Sequence, residues 1–208
     1  MQTNNIRSLV FIALFAALFI VMSSLTIKLG GSFVPITLQT LAVALAGLFL
    51  TPRNAFLSIF IVIVLAAFGL PLFSGQGGIA HLTGPTGGFI FAFPFCALLV
   101  SLAVGAFLRS SGSKGNKIIA FIAFFIIFEL FSSLCAYIPG IPWLMQGYDL
   151  TFQKAMIAGF YPFIIGDALK SLAGTILAIS LTPYIVYIRS STASSRAEKS
   201  SFNAQSHS

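Results

Sequence analysis

The stretch Phe160-Tyr161-Pro162-Phe163-Ile164-Ile165-Gly166-Asp167-Ala168-Leu169-Lys170-Ser171 decides how the chain is read. It lies in an apolar region, yet it holds Asp167 and Lys170 three residues apart. On a helix that spacing sets both side chains on one face. A charge left unpaired in lipid is costly, so such residues turn toward a bundle interior or a cavity and find partners there. The pair is therefore a candidate functional site. The plainer alternative is an ion bridge that only pins one helix to its neighbours.

The rest of the chain supports a lipid setting. Of 208 residues, 58% are hydrophobic and only 7% charged, and the mean hydropathy is +1.02. Average soluble domains carry about 25% charged residues. Phenylalanine alone contributes 23 residues, which suits lipid-facing surfaces. The formal charge of +7 does not form a basic patch. It is spread over short connections and the tail, which is a topology signal and excludes a nucleic-acid partner. Both cysteines, Cys96 and Cys135, sit in apolar spans, at a spacing that matches no metal motif and argues against a structural disulfide.

These features predict an all-α membrane protein with six transmembrane helices, near 6–27, 33–50, 54–72, 86–108, 117–137 and 152–188. Each approaches or exceeds the roughly 20 apolar residues that cross a bilayer. The first run is longer than a signal-peptide core and is kept as a span. Thr51-Pro52-Arg53 is a tight turn in which proline stops one helix and starts the next. Continuous apolarity excludes a barrel of alternating strands. One membrane domain is expected over 1–189, followed by a polar, Ser-rich tail, 190–208, expected to be disordered.

Orientation follows from the basic residues. With the N-terminus inside, Arg7, Arg53, Arg109, Lys114, Lys117, Arg189, Arg196 and Lys199 all fall on the inner side, Lys28 and Lys154 fall outside, and Lys170 lies within a span. The bias gives both termini inside. Lys170 then stands about 28 Å of helix from Arg189, near the outer edge of the membrane, with Asp167 one turn further out. Pro162 is expected in the first turn of that last helix, and 151–159 as a short separate helix.

Three outer connections surround this position. In the first, Pro35, Thr37 and Gln39 lead into the second span with uncharged hydrogen-bonding groups. The second, Gly69–Gly88, has no charge and is rich in glycine. Its end, Thr86-Gly87-Gly88, opens the fourth helix and places backbone N–H groups where a carboxylate could be met. His81 in this connection reads as a loop hydrogen-bonder rather than a metal ligand. The third, Tyr137–Leu150, contains Trp143, either an interfacial aromatic or a wall over a ring-shaped ligand. Glu129 is a second carboxylate within a span and has no evident partner. Ala13 and Ala17 form a small-residue pair that permits close helix approach. No phosphate-binding loop, metalloprotease motif or nucleophile elbow occurs, so no enzyme chemistry is expected and the chain is not expected to hydrolyse ATP by itself.

Taken in order, several motifs resemble the BioY family, the biotin-binding S components of energy-coupling-factor (ECF) transporters. They are Val34-Pro35-Ile36-Thr37-Leu38-Gln39-Thr40; Leu45-Ala46-Gly47-Leu48 with Pro52-Arg53; Gly69-Leu70-Pro71 with Phe73 and Gly75; Gly84-Pro85-Thr86-Gly87-Gly88-Phe89; and Gly166-Asp167 with Lys170. Glu129, the cysteines and the tail depart from the pattern. The resemblance implies a multi-pass subunit of the bacterial cell (inner) membrane that binds biotin in an outward-facing pocket. It implies as partners a transmembrane coupling protein and ABC ATPases, with no cofactor and no metal. The expected ligand-binding residues are Asp167, Lys170, Gln39, Thr37, Pro35, Thr86, Gly87, Gly88 and Trp143; Ala13 and Ala17 would form the docking face. The competing expectations are a stand-alone proton-coupled carrier for biotin or a related vitamin, using Asp167 or Glu129, and a small intramembrane enzyme built on Asp167 and His81.

Overall fold

One helix, Gly87–Arg109, is buried along most of its length, and the rest of the bundle packs on it. The computed structural model describes residues 2–27, 34–110 and 116–189. The tail 190–208, the connection 28–33 with Lys28, and Lys114, Arg196 and Lys199 lie outside the described residues. The elements run α1 (Gln2–Ser24), β1 (Thr26–Ile27), β2 (Ile36–Thr37), α2 (Gln39–Phe49), α3 (Pro52–Ala67), α4 (Ile79–Leu82), α5 (Gly87–Arg109), α6 (Lys117–Phe128), a π-helix (Glu129–Leu134), α7 (Cys135–Gly147), α8 (Phe152–Gly159) and α9 (Ile164–Ser180). A last helical segment, α10, covers 182–189.

Among the described residues, three helices are long and apolar enough to cross a membrane: Ile6–Ser24, Gly87–Arg109 and the continuous rod Lys117–Gly147. A fourth is the pair α8 and α9, bent by 44° at the break between them. The second and third expected spans are shorter than predicted, at 11 and 16 residues. α2 begins only at Gln39 because Ile36 and Thr37 pair antiparallel with Ile27 and Thr26. It is buried from Ala42 to Leu48 and lies so close to α5 that a Cβ on Gly47 would sit 2.5 Å from Val100 Cβ. Small residues allow that approach where lipid offers no hydrophobic drive between helices. α3 starts with Pro52 in its first turn, as expected. It stops at Gly69, whose φ of +95° lets Gly69 N–H reach Ala66 O and Leu70 N–H reach Leu65 O. That is the double hydrogen bond of a Schellman cap.

Two boundaries differ more. The fifth span does not end at 137. It widens into the π-helix and continues through Pro139 and Pro142 to Gly147, so Trp143 is on a helix rather than in a loop. Prolines inside membrane helices are tolerated where neighbours satisfy the freed backbone groups. The last span is broken: α8 is the short helix expected before it, and the turn Phe160–Phe163 carries Pro162 just ahead of α9 instead of inside it.

α9 is turned inside out relative to a soluble helix. Asp167, Lys170, Ser171 and Thr175 are buried, while Ile165, Leu169 and Ile176 are exposed. This is the arrangement that lipid imposes. At the end of the bundle away from Asp167, the Arg189 guanidinium donates to the carbonyls of Gly47, Leu48, Leu50 and Ser101. It satisfies the orphan carbonyls at the C-terminus of α2 and holds α2, α5 and α10 together. Arg7 stacks over Tyr187 at 5.2 Å, so α1 and α10 meet at the same end.

Candidate functional site

The Asp167–Lys170 pair is formed, with Lys170 Nζ 2.6 Å from Asp167 Oδ1 and the side chains only 3% and 10% exposed. Other elements converge on it. Tyr137 of α7 donates its phenol hydrogen to Asp167 Oδ2. Thr40 of α2 donates to Asp167 Oδ1 at 3.2 Å. Lys170 donates to the Thr37 carbonyl at 3.1 Å, which ties β2 to α9. Thr37 Oγ1 donates to Gln39 Oε1 at 2.9 Å and orients that amide.

A carboxylate has about four lone-pair sites and an ammonium three donors. Tyr137, Thr40 and Lys170 occupy three sites on Asp167. Asp167 and Thr37 take two donors of Lys170. Among the described residues, about one acceptor on Asp167 and one N–H on Lys170 are therefore left side by side. Both face a cavity. Phe89, Ile90, Phe93, Ala136 and Phe163 make its walls apolar.

Of the residues expected at the site, Asp167, Lys170, Gln39, Thr37, Pro35 and Thr86 line this cavity together. Gly87, Gly88 and Trp143 are not among its lining. They form a helix crossing instead: a Cβ on Gly88 would sit 2.5 Å from Trp143 Cβ, the indole N–H donates to Gly84 O at 3.0 Å, and Trp143 packs against Phe91. Trp143 thus locks the start of α5 and shapes the site from behind. Ala13 and Ala17 lie on the exposed face of α1 with Leu9, Val10 and Leu14.

Tyr137, Thr40 and Ser133 line the cavity without having been singled out in the sequence. A buried tyrosine needs a hydrogen-bond partner, so Tyr137 in an apolar run was the available signal. For Thr40 there was none, because its partner is 127 residues away.

The glycine-rich connection is folded over the mouth. Ser74 and Gly75 both have positive φ and form the two-residue turn of a small hairpin closed by Phe73 and Gln76. Ser74 donates to Ser23 O at 2.7 Å, and Ser23 donates to Leu72 O at 3.0 Å, which strap the connection to the end of α1. His81 stacks on Phe73 at 5.5 Å. Beneath them is a second cavity. It shares Pro35, Thr37, Gln39, Thr86 and Ile90 with the first and adds Ser74, Gln76 and His81. Among the described residues, no carboxylate lines it. No cluster of His, Cys, Asp and Glu suited to a metal occurs among the described residues, and Cys96 and Cys135 are free thiols.

The model of the BioY family matches residues 1–186. The chain belongs to the BioY family. Among BioY relatives, the "Probable biotin transporter BioY" of Pyrococcus horikoshii is 38% identical over 80% of this chain and 91% of the relative. "Biotin transporter BioY" of Rhizobium etli is 35% identical over 82% and 90%. A solved structure, described as the S-component for biotin from an ECF-type ABC transporter, superposes with a TM-score of 0.76 at 27% identity. The match covers 88% of this chain and 94% of that one. This BioY family member thus has the architecture of a transport subunit rather than of an enzyme.

Proposed function

We propose that the chain is the S component of an ECF-type biotin transporter. It captures biotin from the outer side of the membrane and releases it through a transmembrane coupling protein driven by ABC ATPases. The observation that carries this reading is the open acceptor on Asp167 beside the open donor on Lys170, in a cavity that is otherwise apolar. A cyclic urea presents the complement, an N–H next to a C=O, and its fused thioether ring suits the phenylalanine walls. The valerate carboxylate would then extend into the second cavity, which offers hydroxyl and amide donors and the start of α5. Pro35, Thr37, Gln39 and Thr86 line both spaces and would bracket the chain of the ligand. Gly87, Gly88 and Trp143 would act through the position of that helix start.

The reading includes six membrane-associated helical segments with both termini inside. Its support is the gathering of Arg7 and Arg189 at the end of the bundle opposite the cavity. Ala13 and Ala17, on an exposed apolar face, would dock on the coupling protein, and the setting would be a bacterial inner membrane. A proton-coupled carrier is the second reading, favoured by one feature: Glu129 Oε2 is buried without a hydrogen-bond partner. Uptake of labelled biotin into vesicles separates the two. The first requires the coupling protein, the ATPases and ATP; the second proceeds with this chain alone and follows a proton gradient.

A further inference from the structure

Many hydroxyls on the helices of this protein bond back to their own helix. Ser58, Ser132, Thr175, Ser180 and Thr182 each donate to a carbonyl three or four residues earlier, the usual habit of Ser and Thr in helices. Ser133 and Ser171 do not. Ser133 Oγ is buried with no hydrogen-bond partner, whereas the Ser171 hydroxyl is set against the Glu129 carboxyl. Ser133 is 1% and Ser171 2% exposed. Buried polar groups are nearly always satisfied, so an orphan of this kind points to something that completes it.

The three belong together. Glu129 and Ser133 are on the π-helix, which packs against α9. Glu129 has the Ser171 hydroxyl, Asp167 and Lys170 as its polar neighbours. Ser133 lines the first cavity. Single π turns inside α-helices occur often at functional sites. Ser133 Oγ lines the cavity with its hydrogen-bonding capacity unmatched.

We propose that Ser133 is a second acceptor wall of the cavity and takes the second N–H of the ring-borne urea. The inference rests on biotin being the ligand. Asp167 accepts one ureido N–H, Lys170 donates to the ureido C=O, and Ser133 Oγ accepts the other N–H. The cavity then reads the whole donor–acceptor–donor edge of a cyclic urea and rejects rings that offer only part of it. A site built to bond an N–H leaves its acceptor unpaired when the analogue lacks one, and discrimination is then strong.

The test uses the purified full-length chain, biotin, and the two cyclic carbamates in which one or the other ureido N–H is replaced by ring oxygen. The unaltered chain should bind biotin and lose roughly tenfold or more with each carbamate. Ser133→Ala should lose about tenfold for biotin but nothing further for the carbamate that lacks the N–H facing Ser133, and Ser133→Thr should retain affinity. Full biotin affinity in Ser133→Ala overturns the proposal, as does an equal loss with biotin and both carbamates. If Ser133→Ala does not fold, the unaltered chain decides alone: a carbamate bound as well as biotin means that a second acceptor is absent. No biotin binding by the unaltered chain overturns the ligand reading itself, which is a different result from tight binding that is indifferent to Ser133.

Discussion

Tyr137 donates its phenol hydrogen to Asp167 Oδ2 and joins two helices whose residues are 30 apart in the chain. The bond holds the Asp167 carboxyl at the wall of the cavity. Hydrogen bonds to charged groups contribute about 1.5–3 kcal/mol. Tyr137→Phe should therefore lower the unfolding midpoint and, by freeing the carboxylate from its position at the cavity, weaken biotin binding roughly tenfold or more. Equilibrium titration of the variant measures this, and undiminished affinity would remove Tyr137 from the site.

Removing one member of the Asp167–Lys170 pair strands the other. Breaking a buried pair in this way costs about 3–5 kcal/mol. Asp167→Asn and Lys170→Met should each abolish measurable high-affinity binding and lower the unfolding temperature. The double variant should recover stability but not binding, because it no longer buries a lone charge. A purely structural ion bridge would instead let the double variant bind.

Gly88 and Trp143 provide a contrast. A methyl at Gly88 would also lie 2.9 Å from Pro139 O, and overpacking of this kind costs about 1–3 kcal/mol. Gly88→Ala should lower the unfolding temperature. Trp143→Phe, which loses the bond to Gly84 O, should cost about 1 kcal/mol. Calorimetry reads both, and biotin affinity should stay within a few-fold. A large affinity loss in Trp143→Phe without lost stability would restore the direct ligand contact expected from the sequence.

The exposed face of α1 is tested by bulk. Ala13→Leu with Ala17→Leu should stop biotin uptake in cells that hold the full transporter and leave binding to the purified chain unchanged. An equal fall in binding would make this face structural.

His81 supplies a pH dependence. Its burial against Phe73 disfavours the charged imidazolium and lowers its pKa from the ordinary 6.5. Folding then binds fewer protons than unfolding. The resulting penalty is absent above pH 6.5 and grows as pH falls below it. The unfolding midpoint should drop on the acid side of that value, and His81→Gln should flatten this part of the profile.

Much of the site was legible because polar residues in an apolar chain are few. Asp167 and Lys170 stood out by spacing alone, and Pro35, Thr37, Gln39 and Thr86 by their place at span entrances. Thr40 was not legible, because its partner is reached across the bundle and leaves no local pattern, and Tyr137 offered only the signal of a phenol in an apolar run. Trp143 was misplaced for a physical reason. Pro139 and Pro142 read as a helix end, whereas the rod continues to Gly147 with both prolines on its exposed side. The short α2 was overextended because Ile36 and Thr37 look as apolar as a helix start, while their pairing with β1 depends on a chain reversal that hydropathy does not encode.

The central claim is that this chain alone forms a complete biotin site. Equilibrium binding of labelled biotin to the purified chain, without nucleotide or partner subunits, tests it most directly. The account predicts saturable binding with a dissociation constant on the order of nanomolar, lost in Asp167→Asn. Absence of saturable binding, or binding that survives Asp167→Asn unchanged, would contradict it.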